Sequence, residues 1–133
     1  MSISSIDMVF MGNALFVDVK FWSKLNNCFD NALLTFDTGA TVTTVSKDIL
    51  QKLGYDVNSG YVHKIFTASG IENVREVSID KLRLGDFELD DVLVYAHDFP
   101  VEGTSTGVIG LNALSLFDIN LKFSKKLIEL EKI

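Results

Sequence analysis

Apolar and polar residues alternate along much of the chain with the two-residue period of β-strands. Between Ala14 and Trp22, Leu15, Val17, Val19 and Phe21 alternate with Phe16, Asp18, Lys20 and Trp22, which predicts a strand with unequal faces. Asn26-Asn27 supplies a turn, and Leu33-Leu34-Thr35-Phe36, all branched or aromatic, reads as a buried strand returning from it. Before Asn13 the pattern has no clean period, although Val9-Phe10-Met11 suits a short strand paired elsewhere.

Beyond Ala40 the chain reads as extended through Val42 and Val45, and Ser46 is placed to cap a short helix. Ile49, Leu50 and Leu53 share one face of that helix, Asp48 suits its positive first turn and Gly54 its left-handed stop. Tyr61 onward is extended again, through Ile65 and Phe66 to a small-residue tip at Ala68-Ser69-Gly70 and back through Val74, Val77 and Ile79. Leu82 and Leu84, then Val92 and Val94, fall out of phase with the apolar residues before them, which predicts bulges or turns, with the second turn at Asp90-Asp91. The stretch from Ala96 to Thr106, with the only proline, Pro100, reads as a surface loop. Asn112 is positioned to cap a brief helix through Phe117, after which Ile119, Leu121 and Phe123, the turn Ser124-Lys125-Lys126, and Ile128 and Leu130 predict a closing hairpin. Strands dominate throughout, so the expected fold is all-β, a small closed barrel with one or two short helices.

The chemistry concentrates where the buried strand ends. Asp37-Thr38-Gly39 are turn formers, and Gly39 can take backbone angles closed to other residues, so an acid is delivered rigidly at the end of an apolar run. Burial at such a place raises the cost of ionising a carboxyl, as proton exchange near working pH requires. An Asp that only bonds its own turn would look the same. What distinguishes the two is Gly107-Val108-Ile109-Gly110-Leu111-Asn112-Ala113-Leu114, which repeats the design of apolar pair, glycine and short helix.

Together these stretches resemble the retropepsin-like aspartic proteases, the single-domain relatives of pepsin that include the retroviral proteases. Asp37-Thr38-Gly39-Ala40 is similar to the family's active-site turn and Val108-Ile109-Gly110 to its second signature, in the same order, and the resemblance runs from about Ala14 to Phe123. It implies an endopeptidase that hydrolyses peptide bonds with a water activated by two carboxyls. Since Asp-Thr-Gly occurs once, the second Asp37 must come from another copy in a homodimer. By the same resemblance Thr38 bonds across the two-fold axis, Gly39 admits substrate backbone, Ala40 lines the cleft floor and Gly110 leaves room for the turn. The tip Ala68, Ser69 and Gly70 is the counterpart of the substrate-covering flap. The viral members end soon after the short helix and its strand, whereas this chain continues from Lys126 to Ile133, an extra strand placed to take over part of the dimer sheet. A non-catalytic dimeric barrel that binds peptide or protein is the competing reading.

Size and composition narrow the partners. At 133 residues and 47% hydrophobic, the chain is expected to form one domain over residues 1–133 with a real core. A formal charge of −6, with Lys125-Lys126 the only basic pair, argues against nucleic acid. No apolar run is long enough to span a membrane and the first residues lack the basic region of a secretory signal, so no membrane partner and a cytoplasmic location are expected. Cys28, alone, reads as a small buried hydrophobe. His63 and His97 lie far apart and without ligand spacing, and read as surface or rim residues. Gly103, Gly107 and Gly110 lack the Lys-Ser/Thr of a phosphate loop, and Asp86, Glu88 and Asp90 lack the glycine and helices of a calcium loop. Hence no metal and no cofactor are expected.

Overall fold

A computed structural model describes residues 2–67, 70–98 and 106–133. In chain order the strands are β1 (Ile3–Asp7), β2 (Val9–Met11), β3 (Ala14–Ser23), β4 (Cys28–Phe36), β5 (Thr44–Ser46), β6 (Val62–Thr67), β7 (Gly70–Leu84), β8 (Phe87–His97), β9 (Gly107–Ile109), β10 (Phe117–Lys122) and β11 (Leu127–Lys132). Two short α-helices, α1 (Lys47–Lys52) and α2 (Leu111–Leu114), follow β5 and β9. The larger sheet runs β2-β3-β4-β9-β5-β8-β7-β6, and a further pairing of β3 with β7, Lys20 opposite Arg83 and Phe21 opposite Leu82, closes its middle six strands into a barrel. The expected closed all-β barrel with short helices is therefore what the chain forms.

The barrel closes because one face of each long strand is apolar. Val17, Val19 and Phe21 of β3, Leu34 of β4, Ile79, Leu82 and Leu84 of β7, and Val94 of β8 are all fully buried in one core. A smaller sheet, β1-β11-β10, covers an end of it with Ile128, Leu130 and Phe117. The residues beyond Lys126 thus supply the middle strand of that sheet, paired with β1 on one side and β10 on the other.

Several expectations are corrected. Asp90-Asp91 is not a turn: it lies inside β8, and the turn is Gly85-Asp86, where Gly85 takes φ +59° and the Asp86 N–H donates to Ser4 Oγ at 3.0 Å. Both long strands change phase at facing positions, Asp80 and Asp91, so register is kept, with Ile79 opposite Val92 and Lys81 opposite Asp90. Asp91 absorbs the change in the left-handed region at φ +52°, which Asp tolerates better than branched residues. Across from it the Asp80 N–H leaves the ladder and donates to Tyr55 Oη at 3.2 Å, and that hydroxyl donates to the Trp22 carbonyl at 2.7 Å. Burial pushes the Tyr55 phenol up from its ordinary pKa, against the Asp80 N–H bond that lowers it. Tyr55→Phe orphans the Asp80 N–H and should cost about 1–3 kcal/mol, read as a lower urea midpoint at unchanged slope.

Ser46 does precede α1, but makes no side-chain cap bond. α2 ends at Leu114, not Phe117, and Gly110, not Asn112, holds its N-cap position. Cys28 is exposed, because it opens β4 directly after the Asn26-Asn27 turn. β1 was hidden by its own composition: Ser4 faces in, bonded by Asp86, while Ile3 faces out. Of the predicted 96–106 loop, β8 takes Ala96 and His97; Pro100 lies outside the described residues. Among the described residues no helix is long and apolar enough to cross a membrane.

Candidate active site

Two sequence motifs far apart in the chain form one structural unit. β9 lies between β4 and β5, parallel to β4 (Thr35 opposite Val108, Phe36 opposite Ile109) and antiparallel to β5 (Thr44 opposite Val108). The Asp37-Thr38-Gly39-Ala40 turn, which joins β4 toward β5, therefore wraps the end of β9 where Gly110 follows. Main-chain bonds tie the two together: Asp37 N–H to Ile109 O at 3.2 Å, Leu111 N–H to Ala40 O at 2.8 Å, and Asn112 N–H to Thr41 O at 3.1 Å.

The approach is close enough to need a glycine. A Cβ at Gly110 would stand 2.8 Å from Ala40 O and 2.9 Å from Val42 C, both backbone atoms. Inside the turn the Gly39 N–H donates to Asp37 Oδ1 at 2.9 Å, and Ala40 N–H reaches Asp37 O at 3.3 Å. One carboxylate oxygen is thus held by the turn, with Oδ2 outside that bond, so the acid is oriented rather than loose.

Asn112 is the residue that sequence reasoning misassigned. Its Oδ1 accepts from both the N–H and the hydroxyl of Thr43, each at 2.8 Å, and its Nδ2 donates to Leu93 O at 2.7 Å. Thr43 is completely buried, and its Oγ1 accepts in turn from Gly110 N–H at 3.0 Å. A single amide therefore pins the strand leaving the turn to α2 and to β8. No local pattern announces this, because the partners are 69 residues apart.

Burial of the acid departs from expectation. Asp37 and Ala40 are half-buried, and Thr38 and Gly39 are exposed in the single chain. Leu111, beside the turn, is 38% exposed although apolar. The turn is firmly supported from behind and open in front. Gly70 sits at φ +121° where β7 begins. Ala68 and Ser69 lie outside the described residues. Among the described residues, β7 pairs from Gly70 to Val74 with β6 and not with β8, so this part of the hairpin extends past the β7–β8 ladder as a two-stranded ribbon. Among the described residues no group of three or more His, Cys, Asp or Glu is placed to hold a metal ion.

Compared with known proteins, the chain matches the family model described as aspartyl protease over residues 24–113, more than half its length and including both motifs. The chain belongs to the aspartyl protease family. Within it the fold is retropepsin-like: a crystal structure of a retropepsin-like aspartic protease from Rickettsia conorii superposes with a TM-score of 0.70, covering 97% of this chain and 91% of that one. Identity between the two is 18%, so what they share is the fold. A search of curated proteins found no match.

Proposed function

We propose that this aspartyl protease family member is an endopeptidase, one domain per subunit, whose site forms when two copies bring their Asp37 carboxyls to one water. One carboxylate takes a proton from the water while the other, protonated, polarises the scissile carbonyl. Two adjacent carboxyls cannot both ionise cheaply, which keeps one proton between them. Thr38 fixes the pair across the two-fold axis, Gly39 admits the substrate backbone, and Ala40 forms the floor. The peptide lies extended with its main chain paired as an added strand, and the β6–β7 hairpin, with Ala68, Ser69 and Gly70 at its tip, closes over it.

The observation that carries this reading is the contrast at the turn. The Asp37 turn is held from behind by bonds from Asp37 to β9 and from α2 to Ala40, while Thr38, Gly39 and Leu111 present an uncovered face of the kind a two-fold partner would fill. Because β11 pairs with β1 inside the chain, β1 and β10 are the edge strands of the small sheet among the described residues. A dimer can extend that sheet without unpairing either terminus.

Dilution tests the shared site. Below the dimer dissociation constant, cleavage velocity should fall with the square of protein concentration, in step with a dimer-to-monomer shift in sedimentation. A sedimenting monomer that cleaves with constant specific activity would exclude it. The pH profile should be bell-shaped, since the pair works only with one proton between its two members.

A further inference from the structure

The chain has two histidines, and both converge on the base of one hairpin. His63 of β6 pairs through Nε2 with Glu76 Oε1 of β7, and its ring leans on Tyr95 of β8 with centroids 5.1 Å apart. His97, the last residue of β8, pairs through Nε2 with Glu72 Oε2. Val74, opposite His63 and between the two glutamates along β7, is 1% exposed. The two pairs thus flank a single buried contact between hairpin and barrel.

The pairs differ in what they join. His63–Glu76 links the two strands of the hairpin, next to Tyr95. His97–Glu72 reaches from the barrel to the part of β7 that, among the described residues, pairs with β6 and not with β8. Among the described charges nearby, the Arg75 guanidinium donates to Gly60 O at 2.9 Å, and Lys47 pairs with Asp98 at 3.2 Å. Lys64, one residue from His63, lies on the opposite face of the strand. The ribbon also exposes Phe66 and Ile71, a cross-strand pair 85% and 63% open, so apolar packing does not hold its outer half down.

We propose that Glu72–His97, supported by Glu76–His63, is a protonation-gated clasp that holds the β6–β7 hairpin against the barrel in weakly acidic solution and loosens above it. A His–Glu pair carries two opposite charges only while the imidazole holds a proton and the carboxyl has lost its own, and each charge favours the other, so pairing widens that window. The charged form is the stronger one, since hydrogen bonds between ionised partners exceed those of a neutral ring. Raising the pH discharges the imidazole and lowering it discharges the carboxyl, so the clasp weakens on both sides. An aspartic dyad works on the same acidic side, which makes the cover tightest where the chemistry is competent. The clasp itself concerns only the hairpin and does not depend on whether the protein cleaves.

Amide hydrogen exchange of the hairpin, corrected for the intrinsic pH dependence of exchange, tests this in the intact protein. Protection over residues 62–67 and 70–74 should be greatest in weakly acidic solution and fall roughly two- to fivefold by about pH 8. His97→Gln should flatten most of that profile, leaving the part that Glu76–His63 supplies. Glu72→Gln, at a half-exposed position tolerant of an amide, should flatten it equally, and the double variant should lose no more than either single one. A pH profile shared by wild type and both variants, or effects that add in the double variant, would overturn the clasp. The readout is hairpin opening, so failure here leaves the cleavage experiments untouched, and failure of cleavage leaves this result standing.

Discussion

Asp37→Asn should give a folded dimer whose turnover is lower by at least roughly a thousandfold. The amide has nearly the carboxyl's shape, and it retains an Oδ1 that can accept the 2.9 Å bond from Gly39 N–H. The turn should therefore survive, as should its backing by Ile109 and Leu111. What the amide cannot do is take a proton from water. Thermal unfolding and sedimentation should match wild type, while cleavage of a mixed-peptide pool stops. Near wild-type turnover in a folded, dimeric Asp37→Asn protein would remove the protease reading and leave a peptide-binding barrel in its place.

The second large effect is expected far from the reacting atoms. Asn112→Ala removes the acceptor of two Thr43 donors and the donor to Leu93 O, and Thr43 has no access to solvent. A buried N–H and hydroxyl left without their acceptor should lower stability by about 2–4 kcal/mol, seen as a reduced urea midpoint. The strand leaving the turn also loses its anchor to α2. If the turn then shifts by a fraction of an ångström, kcat should drop roughly ten- to hundredfold with a smaller change in KM. Asn112→Asp keeps an acceptor for Thr43 but sets a carboxylate oxygen against Leu93 O in place of a donor, so it should fall between the two. Equal stability and kcat in wild type and Asn112→Ala would show that the amide does not hold the site.

Much of this arrangement is legible in the residues, and the illegible parts share a cause. β3 declares itself because its inward and outward positions differ sharply in polarity, from Val17 against Asp18 to Val19 against Lys20. The Asp37 turn and the Gly110 motif are legible as a pair because each ends an apolar strand at a glycine. What misleads is polarity used for a tertiary purpose. Ser4 is buried to receive Asp86, Asn112 is spent on Thr43 rather than on capping its own helix, and Asp91 takes a left-handed angle inside a strand. In each case the local reading is sound chemistry and the partner is distant in sequence. The exposed face of the turn is a further example, since the apolar strand that suggests burial of Asp37 ends before the acid does.

The central claim is that one site needs Asp37 from two copies, and mixed dimers test it most directly. Wild type and Asp37→Asn protein are combined in equal amounts at fixed total concentration and left until subunits have exchanged. Cleavage is then compared with wild type alone at the same total concentration. If each site uses two Asp37 carboxyls, only wild-type pairs are active and the velocity should be about one quarter of the wild-type value. A velocity of about one half, as independent subunits would give, contradicts the shared site.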